Sequence, residues 1–129
     1  MNTPASVVPD HFYVVHLDLA REPGHPDGSV EDRYTLLLPL AEDGRIIEPE
    51  ARAYPDYCRV SRASGQADIK RGLIRRDSDG AWVFDFGEAE AEPEVGFRFS
   101  QERFNPGEYV SIRRGEKQHT YRVISLQPL

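Results

Sequence analysis

The sequence predicts a mostly-β fold: a small antiparallel barrel or two-sheet sandwich with at most one short helix. Three observations carry this expectation. Apolar and polar residues alternate through most of the hydrophobic stretches, which is the period of half-buried strands. Ten glycines and ten prolines in 129 residues break the chain at near-regular intervals, as a fold with many tight turns requires. No amphipathic helical stretch of useful length separates the strands, so a parallel βαβ arrangement is not expected.

The elements follow in order. Residues 11–19 read as a strand, with Tyr13, Val15, Leu17 and Leu19 on one face and Phe12, Val14, His16 and Asp18 on the other. Residues 21–29 carry two prolines and two glycines and read as a loop. Residues 33–40 form the second strand, placing Tyr34, Leu36, Leu38 and Leu40 together. Pro39 belongs at an edge or a strand end, since it has no N–H for a ladder. After a turn at 42–45, residues 49–54 are the one helix candidate. Pro49 suits its first position and Pro55 stops it. Short strands follow at 57–62 and 69–76, turned by Ser64-Gly65. Asp77-Ser78-Asp79-Gly80 is a hairpin signal, because Asp and Gly tolerate positive φ. Residues 81–86 put Trp82, Phe84 and Phe86 on one face, the expected heart of the core. Residues 88–94 are acidic and alanine-rich and read as a solvated loop. A short strand at 95–100 would pair Phe97 with Phe99. Asn105-Pro106-Gly107 turns the chain, and 108–113 with 119–126 form a terminal hairpin about 114–118.

The length fits one domain spanning residues 1–129, with residues 1–10 a flexible or extended N-terminus. The net charge of −6 repels polyanions at long range and counts against a whole-surface nucleic-acid binder. The single cysteine, Cys58, allows no internal disulfide and no metal knuckle. With no apolar leader segment, the expectation is a cytoplasmic protein. The longest apolar run, 36–41, contains Pro39 and is far too short to span a bilayer, so no membrane association is expected. No GxGxxG, Walker-type loop, GxSxG or HExxH motif occurs, and no cofactor or resident metal is expected.

Few residues stand out as carriers of chemistry. His16 and Asp18 share a strand face, where they could orient each other for acid–base work or share a metal; the alternative is a plain polar face. His119 is a further acid–base candidate. Cys58 precedes Arg59, and a cationic neighbour lowers a thiol's pKa, but free cysteine is more often a small buried hydrophobe. The segment 59–76 is the clearest charge feature: Arg59, Arg62, Lys70, Arg71, Arg75 and Arg76 oppose only Asp68. Strand alternation does not point all of them one way. A subset such as Arg59, Arg62, Arg71 and Arg75 suits a phosphate, a carboxylate or RNA. Otherwise these arginines pair with acids elsewhere, the 85–94 region first among them.

The stretches Gly96-Phe97-Arg98-Phe99, Phe104-Asn105-Pro106-Gly107-Glu108-Tyr109-Val110-Ser111-Ile112 and Thr120-Tyr121-Arg122-Val123 resemble a group of small bacterial proteins without an assigned activity. His16-Leu17-Asp18-Leu19-Ala20-Arg21 and Gly80-Ala81-Trp82-Val83-Phe84 are similar to the same group. The resemblance implies no functional residue. The leading expectation is a non-enzymatic binding domain for a protein partner or a small anionic ligand. A homodimer formed through an exposed sheet edge is a further option for the partner. The alternatives are a small enzyme using His16, Asp18 or His119, and RNA binding through 59–76.

Overall fold

The structure is a computed structural model, and it describes residues 9–21, 28–65, 69–87 and 92–129. Eight antiparallel strands close into one barrel: β1 (Phe12–Leu19), β2 (Ser29–Pro39), β3 (Arg59–Ser64), β4 (Lys70–Arg76), β5 (Trp82–Asp85), β6 (Glu94–Gly96), β7 (Tyr109–Arg114) and β8 (Lys117–Pro128). Each strand pairs with its sequence neighbour, and β8 pairs with β1 to close the ring. Closure leaves no free edge, which settles the choice between barrel and sandwich. One short helix, α1 (Glu48–Ala53), and a single 3₁₀ turn (Pro55–Tyr57) lie between β2 and β3. No helix among the described residues is long and apolar enough to cross a membrane.

Eight strands enclose a space that side chains can fill or that can hold one small ligand. Here side chains fill it. Val15, Leu17, Leu36, Leu38, Val110, Ile112 and Val123 line the interior, each at most 1% exposed. Between them runs a column of aromatic rings. Centroids of Tyr121 and Tyr34 lie 5.0 Å apart, Tyr34 and Phe84 5.4 Å, Phe84 and Phe99 5.8 Å, and Phe99 and Phe104 5.0 Å. Edge-to-face and tilted pairs at such spacings add about 0.5–1.5 kcal/mol each beyond burial. Gly96 makes the column possible: a Cβ there would sit 2.5 Å from the Phe99 ring.

Several elements differ from the sequence expectation. The strand expected at 95–100 stops at Gly96, because the chain turns to lay Phe99 over that glycine. Phe97 therefore does not pair with Phe99; the Arg113 guanidinium lies 5.2 Å over its ring. The strand expected from residue 57 begins at Arg59, since Pro55 starts a 3₁₀ turn. The strand expected from 33 begins at Ser29, where a register shift between Asp18 and Leu19 lets the hairpin extend. Pro39 closes β2, as the missing N–H requires. Of the expected acidic loop, residues 88–91 lie outside the described residues. Glu94 is not solvated: it is 3% exposed and begins β6 inside the barrel. Residues 1–8 of the expected flexible terminus also lie outside the described residues.

Candidate functional site at the barrel mouth

The two ends of the barrel are unlike. The connections β2–β3, β4–β5 and β6–β7 leave from one end, which Phe12, Ile46, Ala51, Phe99 and Phe104 close with apolar surface. The connections β1–β2, β3–β4, β5–β6 and β7–β8 leave from the other end, and there the inward stripes of β2, β3, β4, β6, β7 and β8 run into polar residues.

Register explains this. Paired residues on antiparallel strands share a face. Tyr34 pairs with Arg62, Arg62 with Lys70, Phe84 with Glu94, Glu94 with Arg114, and Val110 with Tyr121. Tyr34, Phe84 and Val110 are buried in the interior, so their partners point inward too. Asp32 precedes Tyr34 by two residues and takes the same face.

Two carboxylates organise the mouth. Glu94 Oε1 accepts from the Tyr34 hydroxyl at 2.5 Å; its Oε2 lies 3.4 Å from Lys70 Nζ and 3.8 Å from Arg62 Nη1. Asp32 accepts from the Tyr121 hydroxyl at 2.9 Å and lies 3.4 Å from Arg114 Nη2 and 3.9 Å from Arg62 Nε. Arg114 also donates to the Tyr121 oxygen. Burial pushes the Tyr34 hydroxyl well above its ordinary pKa, and the Glu94 charge adds to this. Burial and then the Asp32 charge do the same for Tyr121. Both tyrosines therefore act as fixed O–H donors.

Arg62 is the exception in this network. Its side chain is 17% exposed, yet it makes no hydrogen bond to any described residue, and its Nε is buried without an acceptor. It stands over the Tyr34 ring at 5.9 Å. Buried guanidinium donors are nearly always hydrogen-bonded, so Arg62 Nε is the unmatched donor of the mouth. Beside Arg114 the surface dips into an open depression of about 710 Å³, which Glu92, Glu116, Lys117 and His119 help to line.

The expected site residues are divided between the two faces of the barrel wall. Arg62 and His119 belong to the mouth; His119 pairs with the buried Ile112 and so faces inward. Arg59, Arg71 and Arg75 are exposed on the outer face of β3 and β4. Arg59 donates to the Asp56 carbonyl at 2.9 Å, and Arg75 donates to Asp85 at 3.0 Å. His16 and Asp18 are half-buried on the outer face of β1, where Thr35 Oγ1 lies 3.4 Å from His16 Nδ1. The pair His16–Asp18 and His119 thus lie on opposite faces of the barrel wall. Among the described residues no group of His, Cys, Asp and Glu is arranged to hold a metal ion. Cys58 is 1% exposed, and burial pushes its thiol up to about 11, so it behaves as a small hydrophobe.

No family model matches the chain, and neither a curated protein nor a solved structure matches it.

Asp32, Tyr34, Lys70, Glu94, Arg114 and Tyr121 carry the mouth and did not stand out in the sequence as a set. Their signal is parity: each has the parity of its strand's inward face, and all lie toward the same end of the barrel. Chemically the arrangement offers three cations, Arg62, Lys70 and Arg114, against two carboxylates, Asp32 and Glu94.

Proposed function

We propose that this protein is a non-enzymatic binding domain whose barrel mouth takes a small anion, through a carboxylate or phosphate group. Arg62 carries the proposal: a guanidinium 17% exposed, with no hydrogen bond to a described residue and its nearest carboxylate oxygens 3.8 and 3.9 Å away. A bound oxyanion would complete it, since the planar guanidinium fork matches carboxylate and phosphate geometry. Arg114 and Lys70 flank the same opening and add charge. A filled interior supports placing the ligand at the mouth rather than in the lumen. The cytoplasmic setting belongs to the same proposal and is supported by a lone, buried cysteine that forms no disulfide.

The test is calorimetric titration and thermal shift with inorganic phosphate, pyrophosphate and citrate, on wild type, Arg62→Lys and Arg62→Gln. A ligand at 100-fold its dissociation constant stabilises by about 2.7 kcal/mol. The expected result is binding of at least one of these anions, weakened at least tenfold by Arg62→Lys, which keeps the charge but loses the fork. Comparing phosphate with citrate separates the two oxyanion classes. Absence of binding across the panel, or equal binding by Arg62→Gln, overturns the proposal and turns the search to a protein partner.

A further inference from the structure

A second cleft lies at the far end of the barrel from the mouth. It is formed where α1 and the 3₁₀ turn pack beside β4 and β5, and its volume is about 330 Å³. That is at the small end of the range of about 300–1,000 Å³ typical of small-molecule sites. Its floor is apolar, made by Ala51, Pro55, Ile74 and Trp82, and its rim carries Arg52, Arg75 and Arg76.

The rim charges are unequally engaged. Arg76 donates to Glu48 at 2.5 Å and to the Gly80 carbonyl at 3.0 Å, with its guanidinium 4.5 Å over the Trp82 ring. That bond above all, with the Arg76 and Arg52 charges beside it, holds the Glu48 carboxyl below its ordinary pKa. Arg75 donates to Asp85 at 3.0 Å. Arg52, exposed in the last turn of α1, adds its charge to the field at Glu48 but is not hydrogen-bonded to it. Three guanidinium groups thus face two carboxylates, leaving one positive charge over an apolar floor.

We propose that this cleft binds a small monocarboxylate with a compact apolar body, its carboxylate on Arg52 and its body against Ile74 and Trp82. The surplus of one charge favours a monoanion, and the volume favours a single ring or a short chain. Small-molecule sites commonly combine an apolar lining with a few placed polar groups, and this cleft has that composition.

Trp82 is the only tryptophan, so it reports on the cleft without labelling. Its indole N–H donates to Ser100 Oγ at 2.9 Å and gives one resonance in a nitrogen-edited proton spectrum. The probe is phenylacetate, with uncharged phenylacetamide as the control. Phenylacetate is expected to move the Trp82 emission and indole resonance saturably, with phenylacetamide at least tenfold weaker. Arg52→Glu, an exposed change whose fold is checked by circular dichroism, is expected to weaken phenylacetate at least tenfold. Arg62→Gln at the mouth is expected to leave it unchanged. The proposal is overturned by a flat titration, by equal binding of the amide, by wild-type affinity in Arg52→Glu, or by loss of binding in Arg62→Gln.

Discussion

Replacing Glu102 by Gln should stabilise the barrel at pH 8 and leave it nearly unchanged at pH 5. Glu102 lies in the β6–β7 connection, half-buried, where its Oε2 accepts the Ser111 backbone N–H at 3.0 Å. That N–H belongs to the part of β7 that β6, only three residues long, does not reach. Glu102 therefore completes a gap in the barrel wall. The same position leaves Oε1 buried with no hydrogen-bond partner. Burial accordingly pushes the carboxyl up to about 7 from an ordinary 4.5; the Ser111 bond and the nearby Arg98 charge oppose this without cancelling it.

The sign follows from linkage. Below pH 4.5 the carboxyl is protonated in both folded and unfolded chains and contributes no difference. Between 4.5 and 7 the unfolded chain releases the proton more readily, so stability falls as pH rises through that window. Above 7 the folded protein carries the full cost of an ionised, half-buried carboxylate. Each tenfold displacement of a proton equilibrium is worth about 1.4 kcal/mol, which sets a ceiling of about 3 kcal/mol; solvent access to a half-buried group reduces this to about 1–2 kcal/mol. Glutamine keeps the acceptor for Ser111 and removes the charge. Urea denaturation of both proteins at pH 5 and pH 8 gives the difference of differences, from which every other titrating group cancels. A gain of about 1–2 kcal/mol at pH 8 relative to pH 5 is expected. A pH-independent difference would refute the reasoning, because it would mean that the Glu102 proton equilibrium is the same in the folded and unfolded chains.

Two further substitutions probe the interior. Tyr34→Phe removes the 2.5 Å donor to Glu94, a buried carboxylate, and should cost about 1.5–3 kcal/mol in chemical denaturation, the range for hydrogen bonds to charged groups. Gly96→Ala drives a Cβ to 2.5 Å from the Phe99 ring; overpacking of this kind costs about 1–3 kcal/mol and should lower Tm by several degrees, with Phe99→Leu on the same chain restoring part of the loss.

Much of the fold was legible because alternation and turn chemistry are local. The β4–β5 hairpin about Asp77 to Gly80 and the stripe Tyr34-Leu36-Leu38 need only neighbouring residues to be recognised. What depends on distant pairing is not legible in this way. Glu94 looked like the end of an acidic loop, and only its pairing with Phe84 on one side and Arg114 on the other turns it inward. The end of the strand at Gly96 depends on a ring three residues on, which no alternation pattern encodes. The arginines of 59–76 were visible as a run, but their division into inward Arg62 and outward Arg59, Arg71 and Arg75 needed the β3–β4 register. Arg114 and Asp32, distant in sequence, meet only because the barrel closes.

The asymmetry of the barrel bears on where recognition should be sought. A buried ion pair seldom adds stability beyond what well-packed apolar residues of similar size would give, and losing one partner costs about 3–5 kcal/mol. Stability alone would therefore favour closing both ends as the α1 end is closed, with rings and aliphatic side chains. The mouth instead layers Asp32, Arg62, Lys70, Glu94 and Arg114 directly on the Tyr34–Tyr121 pair, and it leaves the Arg62 Nε donor without an acceptor. An apolar layer would be the more stable design and would bind no ion. The costly layer is consistent with an external anion as the missing member of the network, and with the packed interior serving as a rigid support that holds the guanidinium groups in place.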